Sequence, residues 1–341
     1  MKVGVIGCGG MGTTHYLSLK ALSTCKNLEV VALADCRKEY LEKAASYFPN
    51  ARTYPYGMEL IQKEELDLVH ICLPSYLHVE HAIAAMEKKM NVLIEKPVCL
   101  TKEEGELILE AEKKHGVKVM VGHVLRFTEE YRYLKKIYET KKYGKLKSIV
   151  MQRLNGDVTW GFENWFHDEK KSGSVVLDLH IHDVDFLLDL LGEPEHFDVR
   201  STTFPSGMTN QIITTYQFGN VFATAEGSWD ICSKVKFQAS YRAYFDDATL
   251  YFHSNSTPSL TIYNIDGTVE HPNLNYEYNV TDNTAGINIS NLGPYYTEIK
   301  YFIECIQNNL PVDTASLSEG VRAANLARKE LDLAKQYNSK K

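Results

Sequence analysis

The stretch Met1-Lys2-Val3-Gly4-Val5-Ile6-Gly7-Cys8-Gly9-Gly10-Met11-Gly12 decides the first half of the fold. Val3–Ile6 is a short apolar run of the kind buried on both faces of a parallel sheet. It leads into a glycine turn with Gly7, Gly9 and Gly12 at the spacing G-x-G-x-x-G, and an amphipathic helical pattern, Met11–Leu22, follows. The first glycine permits a tight turn, the second lets backbone approach a pyrophosphate, and the third lets helix and strand pack closely. The helix N-terminus, entered through Gly10 and Met11, offers N–H groups to the anion. Between a strand and a helix, this spacing predicts a dinucleotide site.

Working outward, Glu29–Ala34, Leu68–Cys72, Val92–Ile94 and Val117–Val121 repeat the short apolar run, and Lys38–Tyr47, Val79–Lys88 and Lys102–His115 repeat the helical pattern. Thr101 and Glu104 form a capping box at the start of the last of these helices. Strands alternating with helices predict right-handed crossovers and a doubly wound parallel sheet. Asp35 ends the second strand, where a carboxylate accepts hydrogen bonds from ribose hydroxyls and repels a 2′-phosphate. NAD is therefore expected, with NADP admitted by the guanidinium of Arg37.

The rhythm changes after about residue 125. Lys147–Arg153, His196–Thr203, Ile212–Phe218, Val221–Ser228, Val235–Tyr241, Ala248–Phe252 and Leu260–Tyr263 read as successive strands, with turns at Gly219-Asn220 and Asp266-Gly267. Few helices interrupt them, so a mostly antiparallel open sheet is expected. Two helical patterns follow, Tyr295–Asn308 and Ser316–Tyr337, the second with a capping box at Ser316 and Glu319. The expected fold is α/β plus α+β. A Rossmann domain covers 1–122, and a substrate and oligomerisation domain covers 123–341, its last helices free to pack back on the first.

The 341 residues carry a formal net charge of −7, which argues against a nucleic-acid partner. No apolar run is long enough to span a membrane. The seven cysteines are scattered and never spaced as C-x-x-C, so reduced thiols and no metal site are expected. The N-terminus reads as a strand rather than a secretory leader, which points to the cytoplasm.

Two further stretches carry chemistry. One runs from Leu73-Pro74-Ser75-Tyr76-Leu77-His78 to Glu95-Lys96-Pro97; the other is Gly173-Ser174-Val175-Val176-Leu177-Asp178-Leu179-His180-Ile181-His182-Asp183-Val184-Asp185. With the glycine loop, His15, Arg126-Phe127, Trp165 and the terminal helices around Pro311, they resemble the glucose-fructose oxidoreductase, inositol dehydrogenase and rhizopine-catabolism (Gfo/Idh/MocA) family over nearly the whole chain. The resemblance implies a cofactor site built from the glycine loop, Asp35, Arg37, Leu73, Pro74, His78, Glu95 and Lys96. It implies Lys96, Asp178 and His182 as catalytic residues, with His182 as general acid/base, Lys96 and Asp178 polarising the hydroxyl, and Pro97 holding Lys96 in place. Arg126, Asn155, Trp165 and His180 are expected at the substrate, with His167 nearby. A homodimer or homotetramer is expected from the same resemblance.

The chemistry is coherent in itself. Oxidising a secondary alcohol needs a base for the proton while hydride leaves the same carbon, and histidine titrates near neutrality. A lysine cation stabilises developing alkoxide charge. Asp178 and His182 lie one turn apart if the segment is helical, or along one face if it is extended. From the residues alone, Lys96 reads equally as a solvated lysine and His182 as a packed histidine. Gly173-Ser174 stands where many family members have two glycines, and His180 where glycine is common, which leaves the substrate open.

The leading reading is an NAD(P)-dependent dehydrogenase of a sugar, inositol or related polyol. The alternatives are an NAD-dependent glycoside-cleaving enzyme working by transient oxidation, and a non-catalytic dinucleotide-binding regulator.

Overall fold

The computed structural model describes residues 1–277 and 291–338. The chain divides into two compact units, Met1–Phe127 with Tyr276–Val321, and Thr128–Asn275 with Arg322–Lys341.

The first unit holds six strands, β1 (Lys2–Ile6), β2 (Glu29–Ala34), β3 (Arg52–Tyr54), β4 (Leu68–Ile71), β5 (Asn91–Ile94) and β6 (Val119–Val121). Their order is β3-β2-β1-β4-β5-β6, and every pair is parallel. The helices α1 (Gly10–Leu22), α2 (Lys38–Tyr47), α3 (Gly57–Lys63), α4 (His78–Glu87) and α5 (Lys102–His115) alternate with them. Strand order reverses between β1 and β4, and ligands of such sheets bind at the carboxyl ends of the strands flanking that point. Gly7–Gly12 follows β1 and Cys72–Pro74 follows β4. The short β3 and α3 are absent from the sequence reading because β3 is an edge strand with two exposed residues and no apolar run. The capping box of α5 forms, the Glu104 N–H donating to Thr101 Oγ1 at 3.1 Å and Glu104 Oε2 accepting the Thr101 N–H at 3.2 Å. Such a cap contributes about 1 kcal/mol.

The second unit contains α6 (Glu129–Thr140), β7 (Leu146–Gly156), α7 (Glu169–Ser172), α8 (Ile181–Leu191), β8 (His196–Thr203), β9 (Thr209–Phe218), β10 (Val221–Asp230), β11 (Gln238–Phe245), β12 (Ala248–His253), β13 (Leu260–Asn264) and β14 (Val269–Glu270). The sheet runs β14-β13-β12-β11-β7-β10-β9-β8, antiparallel except at the β7–β10 pair. The β9–β10 hairpin closes at Phe218 and Val221, with Gly219 taking the left-handed φ of +56° that its two-residue turn requires.

Two readings of this half are corrected. The strand expected at Val235–Tyr241 lies at Gln238–Phe245, because Ile231 to Lys236 are exposed and the Val235 N–H turns back to the Cys232 carbonyl. The helix α6 went unread; its buried face is the thin stripe Tyr131, Leu134 and Ile137. Tyr131 meets Phe186, Tyr241 and Phe252 edge-on, so α6 and α8 cover one face of the sheet.

Two helices complete the chain, α9 (Gly293–Gln307) and α10 (Leu317–Asn338). The two compact units part after Phe127, Asn275 and Val321, beside the expectation of one boundary near residue 122 with the last helices packing back on the first domain. The chain returns because α9 carries Tyr296, Ile299, Phe302 and Ile303, which join the first unit's core with Tyr16, Leu19, Leu22, Val3, Val5 and Leu93. Among the described residues no helix is long and apolar enough to cross a membrane.

Candidate active site

In the first unit the glycine loop is shaped by backbone. Gly7 has φ +87°, and a Cβ there would stand 2.3 Å from the Cys72 carbonyl oxygen. A Cβ on Gly12 would stand 1.8 Å from the Gly7 carbonyl oxygen. Neither position has room for a side chain. The helix α1 has no side-chain cap and no acidic residue in its first turn, while Gly9, Gly10 and Met11 are half-buried. Its first N–H groups are thus suited to an anion, and the loop fits a dinucleotide pyrophosphate.

Asp35 is buried beside the loop. Its Oδ2 accepts the Cys8 N–H at 2.8 Å and Arg37 Nη2 at 3.0 Å, and its Oδ1 accepts the Arg37 N–H at 2.8 Å and Nε at 3.0 Å. The guanidinium lies 3.9 Å above the Tyr40 ring, and Nη2 is 2.8 Å from where a Gly9 Cβ would be. Arg37 therefore covers the second glycine, but with a side-chain end that a rotamer change removes.

Glu95 and Lys96 follow β5. The Glu95 carboxylate is buried, with Oε1 2.9 Å from His15 Nε2 and Oε2 accepting the Lys96 backbone N–H at 3.2 Å. A Cβ on Gly122 would come within 2.9 Å of Oε1, so glycine makes room for this carboxylate. His15 Nδ1 lies 2.9 Å from His70 Nδ1, with the rings perpendicular and both side chains fully buried. Two facing Nδ1 atoms need one proton between them, so the tautomers of His15 and His70 are coupled. His70 Nε2 has no hydrogen-bond partner among the described residues. Burial, then the neighbouring His15, holds His70 well below the usual histidine range. Burial alone would raise the Glu95 carboxyl, but the His15 hydrogen bond and nearby cationic groups draw it below its ordinary value.

His78 links two loops, with Nδ1 2.8 Å from the Pro97 carbonyl and Nε2 2.8 Å from the Leu73 carbonyl. Burial lowers its pKa, and the two carbonyls oppose that shift. Lys96 and the neighbouring Leu73 and Pro74 are half-buried. Arg126 does not stand open for a substrate as expected: its side chain is buried, and Nη1 is held by Glu319 at 2.7 Å.

In the second unit Val176–His180 forms a π-helical turn that continues into α8. The segment expected as helical or extended is therefore helical. From Ser172 to Leu188 every residue is buried except Asp178 and His182, which are half-buried one turn apart. Asn155, near the end of β7, is half-buried, and Trp165 stacks on Phe166 at 4.0 Å. His167 pairs with Asp157 at 2.9 Å. His180 departs from its expected substrate role. It is fully enclosed, with Nε2 2.7 Å from Glu330 Oε2, because a residue two positions from Asp178 and from His182 faces the opposite side of the turn.

Residues 1–123 match a family model described as an oxidoreductase family with an NAD-binding Rossmann fold, and residues 131–251 match the GFO/IDH/MocA C-terminal domain. The chain belongs to the GFO/IDH/MocA oxidoreductase family. Among curated GFO/IDH/MocA-like relatives, it is 29% identical to a myo-inositol 2-dehydrogenase of Thermotoga maritima over 57% of this chain and 55% of that protein. It is 29% identical to a glucose-6-phosphate 3-dehydrogenase of Bacillus subtilis over 54% of this chain and 52% of that one. The chain spans about half the length of the curated relatives it matches. In fold it is similar to a levoglucosan dehydrogenase solved with NADH and levoglucosan, with TM-score 0.84 and 19% identity over 98% of this chain and 97% of that one. A UDP-N-acetylglucosamine 3-dehydrogenase of Acidithiobacillus ferrooxidans gives TM-score 0.77 and 21% identity over 99% and 98%.

Two polar residues of this GFO/IDH/MocA chain escaped the sequence reading although the sequence carries a signal for each. His70 lies inside the apolar run Leu68–Cys72, and a histidine in a strand buried on both faces must find a partner. Glu330 falls on the apolar stripe of α10 with Ala323, Ala327, Leu331 and Ala334, where a carboxylate announces a buried pair. Among the described residues no cluster of three His, Cys, Asp or Glu is arranged to hold a metal ion.

Proposed function

We propose that this protein is an NAD-dependent dehydrogenase, tolerant of NADP through Arg37, acting on a secondary alcohol of a sugar, inositol or related polyol. The observation that carries this reading is the pair Asp178 and His182, the open positions of an otherwise buried turn. The names of the relatives, which concern inositol, glucose 6-phosphate and levoglucosan, support the substrate class.

When bound, NAD supplies the hydride acceptor. Gly9, Gly10, Met11 and Gly12 would hold its pyrophosphate, and Asp35 would receive the ribose hydroxyls with Arg37 turned aside. Leu73, Pro74 and His78 shape the same pocket, and Glu95 holds the backbone of Lys96. Lys96 places a cation at the reacting oxygen, where it stabilises developing negative charge. His182 takes the hydroxyl proton in oxidation and returns it in reduction. Asp178 polarises the same hydroxyl, and Asn155 and Trp165 contact the rest of the substrate.

The test is a screen of inositols, aldoses, sugar acids and nucleotide sugars for NAD or NADP reduction, followed by nicotinamide absorbance. Lys96→Met and His182→Ala are expected to lower turnover at least about a hundredfold, with NAD affinity by calorimetry nearly unchanged. Wild-type turnover by His182→Ala sinks its assignment as base. Substrate cleavage without net reduction points instead to transient oxidation, and dinucleotide binding without turnover to a regulator.

We also infer a homodimer or homotetramer formed through the open face of the eight-stranded sheet. Val150, Ile213, Phe222, Tyr244, Tyr251 and Tyr263 are exposed there, and sheets commonly bury such a second face. Light scattering should give a multiple of the chain mass, and Phe222→Lys with Tyr244→Lys should give the monomer. A monomeric wild type overturns the inference. The seven cysteines, scattered and never spaced as C-x-x-C, fit a reducing cytoplasm.

A further inference from the structure

We propose that His180, Glu330, Tyr216 and Thr214 form a buried clamp that fixes the turn carrying Asp178 and His182, so that His180 and Glu330 are positioning residues. The proposal rests on the reading that Asp178 and His182 carry the chemistry.

All four side chains are buried at 1% exposure or less. Glu330 Oε2 lies 2.7 Å from His180 Nε2 and accepts Thr214 Oγ1 at 3.0 Å, while Oε1 accepts the Tyr216 hydroxyl at 2.7 Å. Tyr216 keeps its proton, since burial and then the Glu330 carboxylate push its phenol well above the usual range. Its hydroxyl and that of Thr214 also approach His180 Nε2, at 3.3 and 3.5 Å. His180 Nδ1 has no partner among the described residues. The ring is therefore oriented through Nε2 alone, with its proton on that nitrogen, donating to Glu330.

The sheet makes room for this ring. A Cβ on Gly227 would stand 2.8 Å from His180 Cβ and 3.2 Å from its Cα, so β10 has no side chain where His180 is seated. His180 is the last residue of the π-helical turn, a bonding pattern that recurs at functional sites. Asp178 and His182 lie two positions before and after it, on the face turned away from the clamp. Strand β9 supplies Thr214 and Tyr216, α10 supplies Glu330, and β10 supplies the vacant Gly227. A carboxylate with three donors is costly to disturb, because each lost partner leaves a buried polar group unsatisfied.

The experiment compares Glu330→Gln, Tyr216→Phe, Gly227→Ala and Gly227→Ala with His180→Gly. The readouts are thermal stability, the line width of the His182 Cε1–H resonance in histidine-labelled protein, and kcat against KM for NAD. The resonance is assigned by its loss in His182→Ala. Glu330→Gln is expected to stay folded, to broaden the His182 resonance, and to lower kcat about tenfold to a hundredfold with KM for NAD unchanged. Should Glu330→Gln fail to fold, Tyr216→Phe, which removes one donor, gives the same signature at smaller amplitude. Gly227→Ala should destabilise the protein, and His180→Gly in the same chain should recover only the steric part of that loss, since Glu330 then lacks a donor, without restoring kcat or the sharp resonance. A folded Glu330→Gln and Tyr216→Phe with wild-type line width and kcat overturn the clamp. If no substrate turns over in the wild type, the functional reading fails while the line widths still decide the clamp.

Discussion

Gly7 and Gly12 in the first unit have backbone oxygens 2.3 and 1.8 Å from where a Cβ would be, so that loop is fixed by what the main chain leaves out. In the second unit the turn carrying Asp178 and His182 is fastened where three side chains, His180, Thr214 and Tyr216, meet at Glu330. A loop defined by backbone has no rotamer with which to absorb a change. A turn held by hydrogen-bonding side chains accepts an isosteric replacement and loses alignment before it loses the fold. The same residue pair, a buried histidine on a glutamate, occurs in both units with different continuations. His15–Glu95 runs on to a second histidine, whereas His180–Glu330 closes on two hydroxyls.

The largest expected effect breaks the backbone side of this contrast. Gly12→Ala drives a methyl group into the Gly7 carbonyl, and overpacking against main chain costs about 3 kcal/mol, or about a hundredfold in dinucleotide affinity if the loop seats the pyrophosphate. Calorimetric titration with NAD measures it directly. Glu330→Gln should bind NAD like the wild type in the same titration. If Gly12→Ala binds NAD normally, the loop is not the pyrophosphate seat and the contrast between the units dissolves.

The sequence showed the two units unequally, for physical reasons. Strands buried on both faces appear as unbroken apolar runs, and the glycine spacing encodes a backbone shape directly, so β1, β2, β4 and β5 were legible. Both capping boxes could be read because their residues bond locally, and Ser316 and Glu319 do so at 2.9 Å, the Ser316 N–H donating to Glu319 Oε2. The direction of His180 was not legible. From Val176 to Leu188 the polar residues Asp178, His180, His182, Asp183 and Asp185 are spread among apolar ones, so residue type does not say which of them face inward, and packing against Gly227 decides it for His180. The burial of Arg126 is not legible for a related reason: its partner Glu319 is far along the chain. The β11 shift shows the opposite weakness, since Val235 and Phe237 resemble a strand until the turn at Cys232 is seen.

The different continuations of the two histidine–glutamate pairs yield a smaller effect, on stability against pH. Burial lowers the pKa of His70, His78 and His81, all in the first unit, from the ordinary 6.5. A histidine with a depressed folded pKa binds fewer protons folded than unfolded. Its contribution is therefore fully present above pH 6.5 and is lost as pH falls below it. Each such site contributes a slope of at most about 1.4 kcal/mol per pH unit. Glu95, also depressed, adds loss only as pH falls further, through the carboxylate range. His70→Phe removes one of these sites with an apolar ring of similar size. At neutral pH it leaves His15 Nδ1 without its partner and should cost about 1 kcal/mol. On acidification the variant should lose stability less steeply than the wild type, by up to that single-site slope, so the two curves converge between pH 6.5 and about 5. Urea unfolding across that range measures both slopes. Parallel curves would mean that His70 takes up no proton on unfolding, and the acid sensitivity assigned to the His15–His70 continuation would then belong to other groups.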